Sequence, residues 1–175
     1  GENEGLKKDT KEIIKNNLKK EQDNIELITF YEKDIMENQE NFYNSIYSGS
    51  LFSNKKIISI HGGTDKILDL IQDITDKHPN NVTLLIFSDI LEKKSKLRFF
   101  FETEKKIICI PCYSDSSKDL EIITTTELKK NNIVVSRETI NFLVASANSD
   151  RNNLKNEIEK IKSFALNKKN LEIDE

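Results

Sequence analysis

The sequence predicts a parallel α/β domain over residues 1–113, followed by a small all-helical domain over residues 114–175. Up to Tyr113, short apolar runs typical of strands alternate with segments of helical periodicity, and from Ser116 onward one helical pattern follows another. Alternation of strands and helices favours a parallel sheet, because the chain has to cross back over the sheet between parallel neighbours.

Composition limits the class of protein. Of the 175 residues, 36% are hydrophobic and 33% are charged, and the formal net charge is −3. Such a chain can fold around a core, and its charge is not typical of a nucleic-acid or membrane binder as a whole. No signal-peptide pattern opens the given sequence, and no apolar run approaches the ~20 residues of a membrane-spanning helix, so we expect a cytoplasmic protein without membrane contact. Because the sequence begins at Gly1 rather than at Met, we expect it to be part of a longer protein.

The first residues resemble a phosphate-binding loop that has lost its function. A working loop has the pattern G-x-x-x-x-G-K-[ST], in which the amides and the lysine hold phosphates and the hydroxyl binds magnesium. Here Gly1, Gly5 and Lys7 are present, but Leu6 occupies the second glycine position and Lys8 the hydroxyl position. We therefore predict no bound nucleotide and no other cofactor. The strand that should precede such a loop is expected to lie before Gly1.

The following patterns predict strands and helices in alternation. The run 82–89 is apolar nearly throughout, which is typical of a central parallel strand covered on both faces. Its last residue, Asp89, is interpreted as a turn or helix-capping residue. Thr64 is expected to cap the helix whose apolar residues recur over 67–74. The other elements predicted for this domain are a helix from about residue 6 to 18, a strand over 25–30, a helix over about 32–48, and strands over 56–61 and 107–110.

Cys109 and Cys112 form a C-x-x-C pattern, for which a redox pair and a zinc site have to be considered. A redox pair needs its first cysteine at a helix N-terminus, whereas Cys109 lies within the predicted strand 107–110. A zinc site needs further ligands, and the sequence contains neither a second C-x-x-C nor a histidine pair. We therefore predict structural thiols in a reducing compartment and no bound metal.

The connection between the predicted helix 32–48 and strand 56–61 carries two large apolar residues, Leu51 and Phe52, directly after Ser50. Connections normally run over the surface, so such a pair needs either a core to fold back into or a partner to enter. The residues alone leave both explanations open: a helix-end contact within the domain, or a plug for another protein.

Several short motifs occur together in this chain. They are Ser50-Leu51-Phe52 with a basic pair and an apolar strand after it, Lys96-Leu97-Arg98, Cys112-Tyr113, and the capped helix Asp150 to Ile161 with Glu157, Glu159 and Lys160. In this order and spacing they resemble the delta subunit of the clamp loader of bacterial DNA polymerase III. Gly49 is a departure, because some relatives have a long apolar residue two positions before the leucine.

This resemblance implies an ATPase-like (P-loop NTPase-type) α/β domain without a working nucleotide site and without its first strand, followed by a helical lid domain. A third, collar-forming domain of the family is not in this sequence. Ser50, Leu51 and Phe52 would bind the sliding clamp and help to open it during DNA replication. The implied partners are the sliding clamp, the delta-prime subunit, the ATP-hydrolysing subunits and, through the assembled loader, primed DNA.

The resemblance implies no catalytic residue and no activity of the subunit itself, although the DNA polymerase III holoenzyme is a DNA-directed DNA polymerase and thus a nucleotidyltransferase. Two other functions are open from the residues alone: a P-loop-type nucleotide-dependent enzyme and a generic α/β protein-interaction domain. The enzyme would need an intact G-K-[ST] motif, which this sequence lacks.

Overall fold

A computed structural model of the protein describes residues 1–20, 24–49, 55–165 and 170–171. The chain divides into two compact units, one comprising Gly1 and Lys8–Pro111, the other comprising Glu2–Lys7 and Cys112–Glu175. Within the described ranges, no helix is both long enough and apolar enough to cross a lipid bilayer.

Strands alternate with helices in the first unit and helices dominate the second, which confirms the predicted fold class. The elements in chain order are α1 (Glu4–Lys19), β1 (Ile25–Tyr31), α2 (Glu32–Glu37), α3 (Gln39–Tyr47), β2 (Lys55–His61), a 3₁₀ helix (Asp65–Ile67), α4 (Leu68–Lys77), β3 (Val82–Phe87), α5 (Lys96–Thr103), α6 (Ser117–Lys130), β4 (Val134–Val135), α7 (Arg137–Ser146), α8 (Arg151–Ala165) and β5 (Asn170–Leu171).

The sheet of the first unit is parallel and has the order β1-β2-β3. Strand β2 lies in the middle, and its residues 56–60 are all buried, whereas every residue of β3 is only half-buried. Among the described strands β3 therefore lies at an edge, and the covering on both faces that was predicted for the run 82–89 is not seen there. The apolar composition of this run does indicate a strand. The position of a strand in the sheet depends on which other strands pair with it, and β propensity carries no information about that pairing.

The core of the first unit lies between the sheet and the helices that cross it. Ile67, Leu70, Ile71 and Ile74 recur at helical spacing, so they share one face and are buried together. Burying each side chain of this size contributes roughly 1.5–3 kcal/mol in area terms. The other core members are Phe30, Ile35, Phe42, Ile46, Ile58 and Ile60.

The region predicted as one helix over 32–48 is two helices, α2 and α3, separated at Asn38. The Asn38 side chain accepts a hydrogen bond from the backbone N–H of Asn41 (3.0 Å) and so caps the start of α3. An asparagine side chain can hydrogen-bond to a nearby backbone N–H in place of the next hydrogen bond of the helix, which explains the break.

The predicted strand 107–110 is not a strand, and this prediction is wrong. Ile108 is 83% exposed and Cys109 is exposed, whereas the prediction places both in an apolar strand. High β propensity shows that a segment suits a pleated surface, but a strand forms only where a neighbouring strand pairs with it. The described sheet of this unit consists of β1, β2 and β3.

The second unit packs α6, α7 and α8 around a core of its own. Ser116 and Asp119 form a reciprocal capping box at the start of α6, and the Ser136 hydroxyl caps α7. The Asp150 carboxylate accepts hydrogen bonds from the first backbone amides of α8, as predicted. A short parallel pairing of β4 with β5 adds to the helices. The buried core residues are Leu120, Leu128, Ile133, Leu143, Ala147, Leu154, Ile158 and Ala165.

Candidate partner-binding site

The predicted plug residues Ser50, Leu51 and Phe52 lie outside the described residues. The structure does describe both ends of their segment, namely helix α3, which ends at Tyr47, and strand β2, which begins at Lys55. The candidate site is therefore built from these two ends and the side chains around them.

Lys56 joins the two ends of this segment. It belongs to β2, yet its Nζ donates hydrogen bonds to the carbonyl oxygens of Ser45 (2.9 Å) and Ser48 (2.6 Å) at the end of α3. The last carbonyls of a helix have no partner within the helix and form its negative end, so they stabilise the ammonium group of this lysine, which as a residue is only 6% exposed. Glu26 adds a carboxylate oxygen 4.0 Å from Nζ. The Lys56 side chain therefore joins the end of α3 to the start of β2.

Two tyrosine rings near the end of α3 are nearly parallel. The Tyr43 and Tyr47 rings make an angle of 11° with their centroids 6.2 Å apart. The Tyr43 hydroxyl donates a hydrogen bond to Asp73 Oδ2 (3.1 Å), and Lys77 Nζ donates to the same oxygen (2.7 Å). Burial and the hydrogen bond to Asp73 raise the pKa of Tyr43, while the Lys77 ammonium lowers the pKa of Asp73. Tyr43 therefore stays a neutral donor to a charged acceptor.

The Lys96-Leu97-Arg98 motif is explained by the start of α5. Leu97 is 2% exposed and belongs to the buried residues of the first unit. The carboxylate of Asp65 accepts hydrogen bonds from the Ser95 hydroxyl (2.6 Å) and from the backbone amides of Lys96 and Leu97 (both 3.0 Å). These hydrogen bonds lower the pKa of Asp65. Sequence analysis missed this role of Asp65, because the two partners lie about thirty positions apart along the chain.

The remnant of the phosphate loop is not a loop in the structure. Gly5 and Lys7 lie in the first turns of helix α1, which starts at Glu4. The amino group of Gly1 donates hydrogen bonds to the carbonyl oxygens of Ser88 and Asp89, each at 3.0 Å. The backbone amides of Asn3, Leu6 and Lys7 donate instead to the Cys112 carbonyl (3.2 Å), the Asn3 side chain (2.9 Å) and the Asn3 carbonyl (3.0 Å), so they are not available to a phosphate.

Beside the start of α1, the second unit contains a hydrogen-bonded network of Asn3, Asp115 and Arg151, with the carboxylate of Asp115 buried at its centre. The Arg151 guanidinium donates to both oxygens of Asp115, with Nε at 2.8 Å from Oδ2, and Asn3 Nδ2 donates to the same Oδ2 at 2.8 Å. A Cβ atom placed on Gly5 would lie 2.7 Å from Arg151 Cβ, so Gly5 is where the arginine side chain packs on the helix backbone.

In this network the positive charge of Arg151 is largely neutralised by Asp115, so it offers little attraction to a phosphate. Burial acts to raise the pKa of Asp115, but the hydrogen bonds from Arg151 and Asn3 outweigh it, so this pKa lies below its usual value. Asp115 is therefore a carboxylate that already occupies the planar face which Arg151 would offer to a phosphate.

We expect no saturable binding of a fluorescent ATP analogue with magnesium in the micromolar range. Leu6 and Lys8 replace two essential loop residues, and the backbone amides of Leu6 and Lys7 already donate hydrogen bonds to Asn3. A fluorescence anisotropy titration of the purified chain measures this. A saturable signal that disappears in Lys7→Ala would contradict the expectation.

The cysteines of the C-x-x-C pattern have different surroundings, since Cys109 is exposed and Cys112 is buried. Across the described residues, no three or more His, Cys, Asp or Glu side chains are grouped closely enough to hold a metal ion. His61 lies against the Phe87 ring, with ring centroids 4.8 Å apart, and His78 lies 2.8 Å from Lys106 Nζ.

Comparison with known proteins finds similar proteins both by sequence and by structure. The chain is 27% identical over 118 residues to a probable DNA polymerase III subunit delta of Rickettsia prowazekii (strain Madrid E); the match covers 67% of this chain and 36% of that protein. The fold is similar to that of the Bacillus subtilis DNA clamp loader delta protein (YqeN), with a TM-score of 0.59 at 13% identity over 85% of this chain. No protein-family profile matches the chain.

The chain spans 36% of the length of the sequence relative and 46% of the length of the structural relative, so it corresponds to part of each. The resemblance predicted from the sequence motifs is confirmed. The chain is similar in sequence to a delta subunit of DNA polymerase III, and it has the fold of a clamp loader delta protein.

Proposed function

We propose that this chain acts in clamp loading for DNA polymerase III, as the part of a delta subunit that binds the sliding clamp. The observation that carries the proposal is that the sequence relative and the structural relative are the same kind of protein. The first unit would be the ATPase-like domain and the second unit the helical lid domain. The chain would work in the cytoplasm and have no enzymatic activity of its own.

In this proposal Leu51 and Phe52, next to Ser50, form an apolar plug that enters a pocket of the clamp. The proposal is supported by the described ends of their segment, because Lys56 holds the end of α3 against the start of β2. A loop with fixed ends loses less conformational freedom on binding than one with free ends.

Clamp opening by a subunit without ATP hydrolysis requires differential binding. A protein that binds the open or strained ring more tightly than the closed ring shifts the population of the clamp toward the open form. The energy for the cycle would come from the ATP-hydrolysing subunits of the loader. The delta-prime subunit and primed DNA would be partners only in the assembled loader.

Mixing the chain with its cognate sliding clamp and separating the mixture on a sizing column tests the proposal. We expect the two proteins to elute together, earlier than either protein alone. Runs of each protein by itself at the same concentration are the control. Separate elution at concentrations well above the micromolar range would contradict clamp binding.

A further inference from the structure

A cavity of about 350 Å³ lies beside the start of α5 in the first unit. Its apolar lining comes from Leu68 on α4 and from Phe99 and Phe100 on α5. Phe99 is 66% exposed, so its ring borders both the cavity and the solvent. Ligand pockets range over roughly 300–1,000 Å³, so a cavity of this size suits one flat group with its substituents rather than a folded partner.

Three lysines, Lys93, Lys94 and Lys96, line the same cavity. We call these lysines together with Phe99 the basic groove. Of the described residues that line the cavity, none is aspartate or glutamate. The chain as a whole has a formal net charge of −3, yet its stretch 92–98 contains four basic residues and one acid. The groove is therefore a local site of positive charge, which attracts an anion.

The backbone that carries these lysines is ordered. Lys93 and Lys94 are the middle residues of a turn, which the N–H of Ser95 closes by donating to the carbonyl oxygen of Glu92 (2.9 Å). Lys96 is the first residue of α5. The ammonium groups thus reach the groove on flexible side chains from a fixed backbone, so a ligand that binds them has only side chains to order.

The ion pair that Lys94 forms is easily exchanged. Its Nζ lies 2.9 Å from a carboxylate oxygen of Glu92, and the two side chains are 84% and 70% exposed. An exposed pair of this kind contributes little to stability, because water solvates both partners well. A phosphate can therefore replace the carboxylate beside Lys94 at little cost.

The basic residues of the groove favour a phosphate over a carboxylate as the ligand. A carboxylate is recognised best by the planar guanidinium of arginine, which donates two parallel hydrogen bonds, whereas lysine offers a point charge that suits phosphate. Arg98, which follows on α5, already donates to the carbonyl oxygen of Leu91 (3.1 Å) and to Glu102 (2.8 Å). The groove therefore presents lysines to a ligand.

The exposed ring of Phe99 adds a site for a nucleobase. Every base has a π face, so a base stacks on an aromatic ring without regard to sequence. The bases of a single strand can be splayed out onto such a ring, whereas those of a duplex are stacked on one another. Basic side chains beside an exposed aromatic ring are typical of grooves that bind single strands.

We propose that the basic groove binds single-stranded DNA, with phosphates on the ammonium groups of the three lysines and one base stacked on Phe99. This inference goes beyond the proposed function, which assigns DNA to the assembled loader, because it gives the chain a DNA contact of its own. It does not depend on clamp binding. An acidic peptide is the competing occupant of the groove.

Fluorescence anisotropy of a labelled oligothymidylate of about 16 nucleotides, titrated with the full chain, tests the inference. We expect saturable binding with a dissociation constant between about 10⁻⁵ and 10⁻⁴ M at about 50 mM salt. Three phosphate contacts to a single strand give a slope of log K against log [salt] of about −2. The affinity should therefore fall about twenty-fold between about 50 and 200 mM salt.

Two kinds of variant separate charge from stacking. We expect Lys94→Ala to weaken binding and to reduce the magnitude of the salt slope by about 0.7, because one phosphate contact is lost. We expect Phe99→Ala to weaken binding about fivefold or more, through the loss of one stacked base, at an unchanged salt slope. Phe99→Tyr keeps the ring and is expected to stay within about twofold of wild type.

Each of these alanine variants has a matched control that does not line the groove. Lys33 resembles Lys94, since both side chains are 84% exposed and each forms an ion pair with one glutamate. Phe142 resembles Phe99 in exposure, 63% against 66%, but belongs to α7 of the second unit. We expect Lys33→Ala and Phe142→Ala to bind the oligonucleotide as the wild-type chain does. Melting temperatures establish that each variant is folded.

Losses of affinity in Lys94→Ala and Phe99→Ala, with both controls unaffected, support the inference. An equal loss in Lys33→Ala would mean general attraction to surface charge and would overturn it, as would the absence of saturable binding at about 50 mM salt. A loss in Lys94→Ala without one in Phe99→Ala would overturn the stacked base, and with it the choice of a single strand.

A polyglutamate peptide, titrated in the same way, represents the competing occupant. If it binds more tightly than the oligonucleotide and loses its binding in Lys94→Ala, the groove belongs to an acidic peptide and the inference is overturned. The clamp is absent from all of these titrations. Their failure would therefore leave the proposed function standing, and failure of clamp binding would leave the DNA contact standing.

Discussion

Replacing Leu51 and Phe52 together by alanine is expected to abolish detectable clamp binding and to leave the melting temperature of the chain nearly unchanged. Burying each side chain is worth roughly 1.5–3 kcal/mol in area terms. A micromolar complex has a binding free energy of about 8 kcal/mol, so two such residues at the centre of an interface carry a large share of it. Ordering and association costs prevent a direct conversion of area into affinity.

The melting temperature separates this expectation from the alternative that the pair packs against its own domain. A helix-end contact would lower the melting temperature in the double variant, with clamp binding lost only through unfolding. The matched control is Ile108→Ala/Phe99→Ala, which removes an aliphatic and an aromatic side chain that are 83% and 66% exposed in the same unit. A folded Leu51→Ala/Phe52→Ala variant that binds the clamp as tightly as wild type would end the plug hypothesis.

Replacing Arg151 by alanine is expected to lower the free energy of unfolding of the second unit by about 3–5 kcal/mol. The Asp115 side chain is 4% exposed and would keep its charge without the guanidinium that now binds both of its oxygens. Removing one partner of a buried ion pair is costly because the remaining charge is left in a medium that solvates it poorly. Urea unfolding followed by circular dichroism measures the difference.

Arg137→Ala is the matched control for this change. Arg137 and Arg151 are each the first residue of a helix in the same unit, but Arg137 is exposed. We expect this control to change the free energy of unfolding by less than about 0.5 kcal/mol. An equal effect of the two substitutions would show that helix-end charge, rather than the buried contact with Asp115, explains the result.

The Asp115–Arg151 ion pair also predicts that the free energy of unfolding depends on pH in the acidic range. Because the pKa of Asp115 is lower in the folded chain than in the unfolded chain, its contribution is fully present above the unfolded pKa of about 3.9. It is lost as the pH falls through the folded pKa, since the unfolded chain then binds the proton more readily. In Arg151→Ala this part of the acid dependence should be smaller, and an unchanged profile would contradict the assignment.

Local patterns were sufficient for much of this fold. The alternation of strands and helices, the apolar face of α4, and the caps of α6, α7 and α8 all depend on residues a few positions apart, so periodicity and capping chemistry predict them. The break at Asn38 is local too, and an asparagine within a helical pattern was the signal for it. The resemblance to a delta subunit likewise came from short motifs in order.

Tertiary structure alone decided the strand order and the surroundings of the candidate site. The run 82–89 is apolar, yet the middle strand is β2, which contains a lysine and a serine among its buried residues. Lys56 is buried there because the chain brings helix carbonyls to its ammonium, and no pattern around residue 56 indicates that. The segment 107–110 has strand propensity but is not paired in the described sheet.

The contacts of Asp65 with α5 and of Asp115 with Arg151 have the same origin. In each, a carboxylate meets its donors across about thirty or more positions of sequence. The chemistry of a side chain specifies the kind of hydrogen-bond partner that it needs. The sequence alone thus determined which kinds of secondary-structure element form and which kinds of polar group need a partner. Only the tertiary structure decided which residues come into contact, because pairing between distant residues depends on the path of the whole chain.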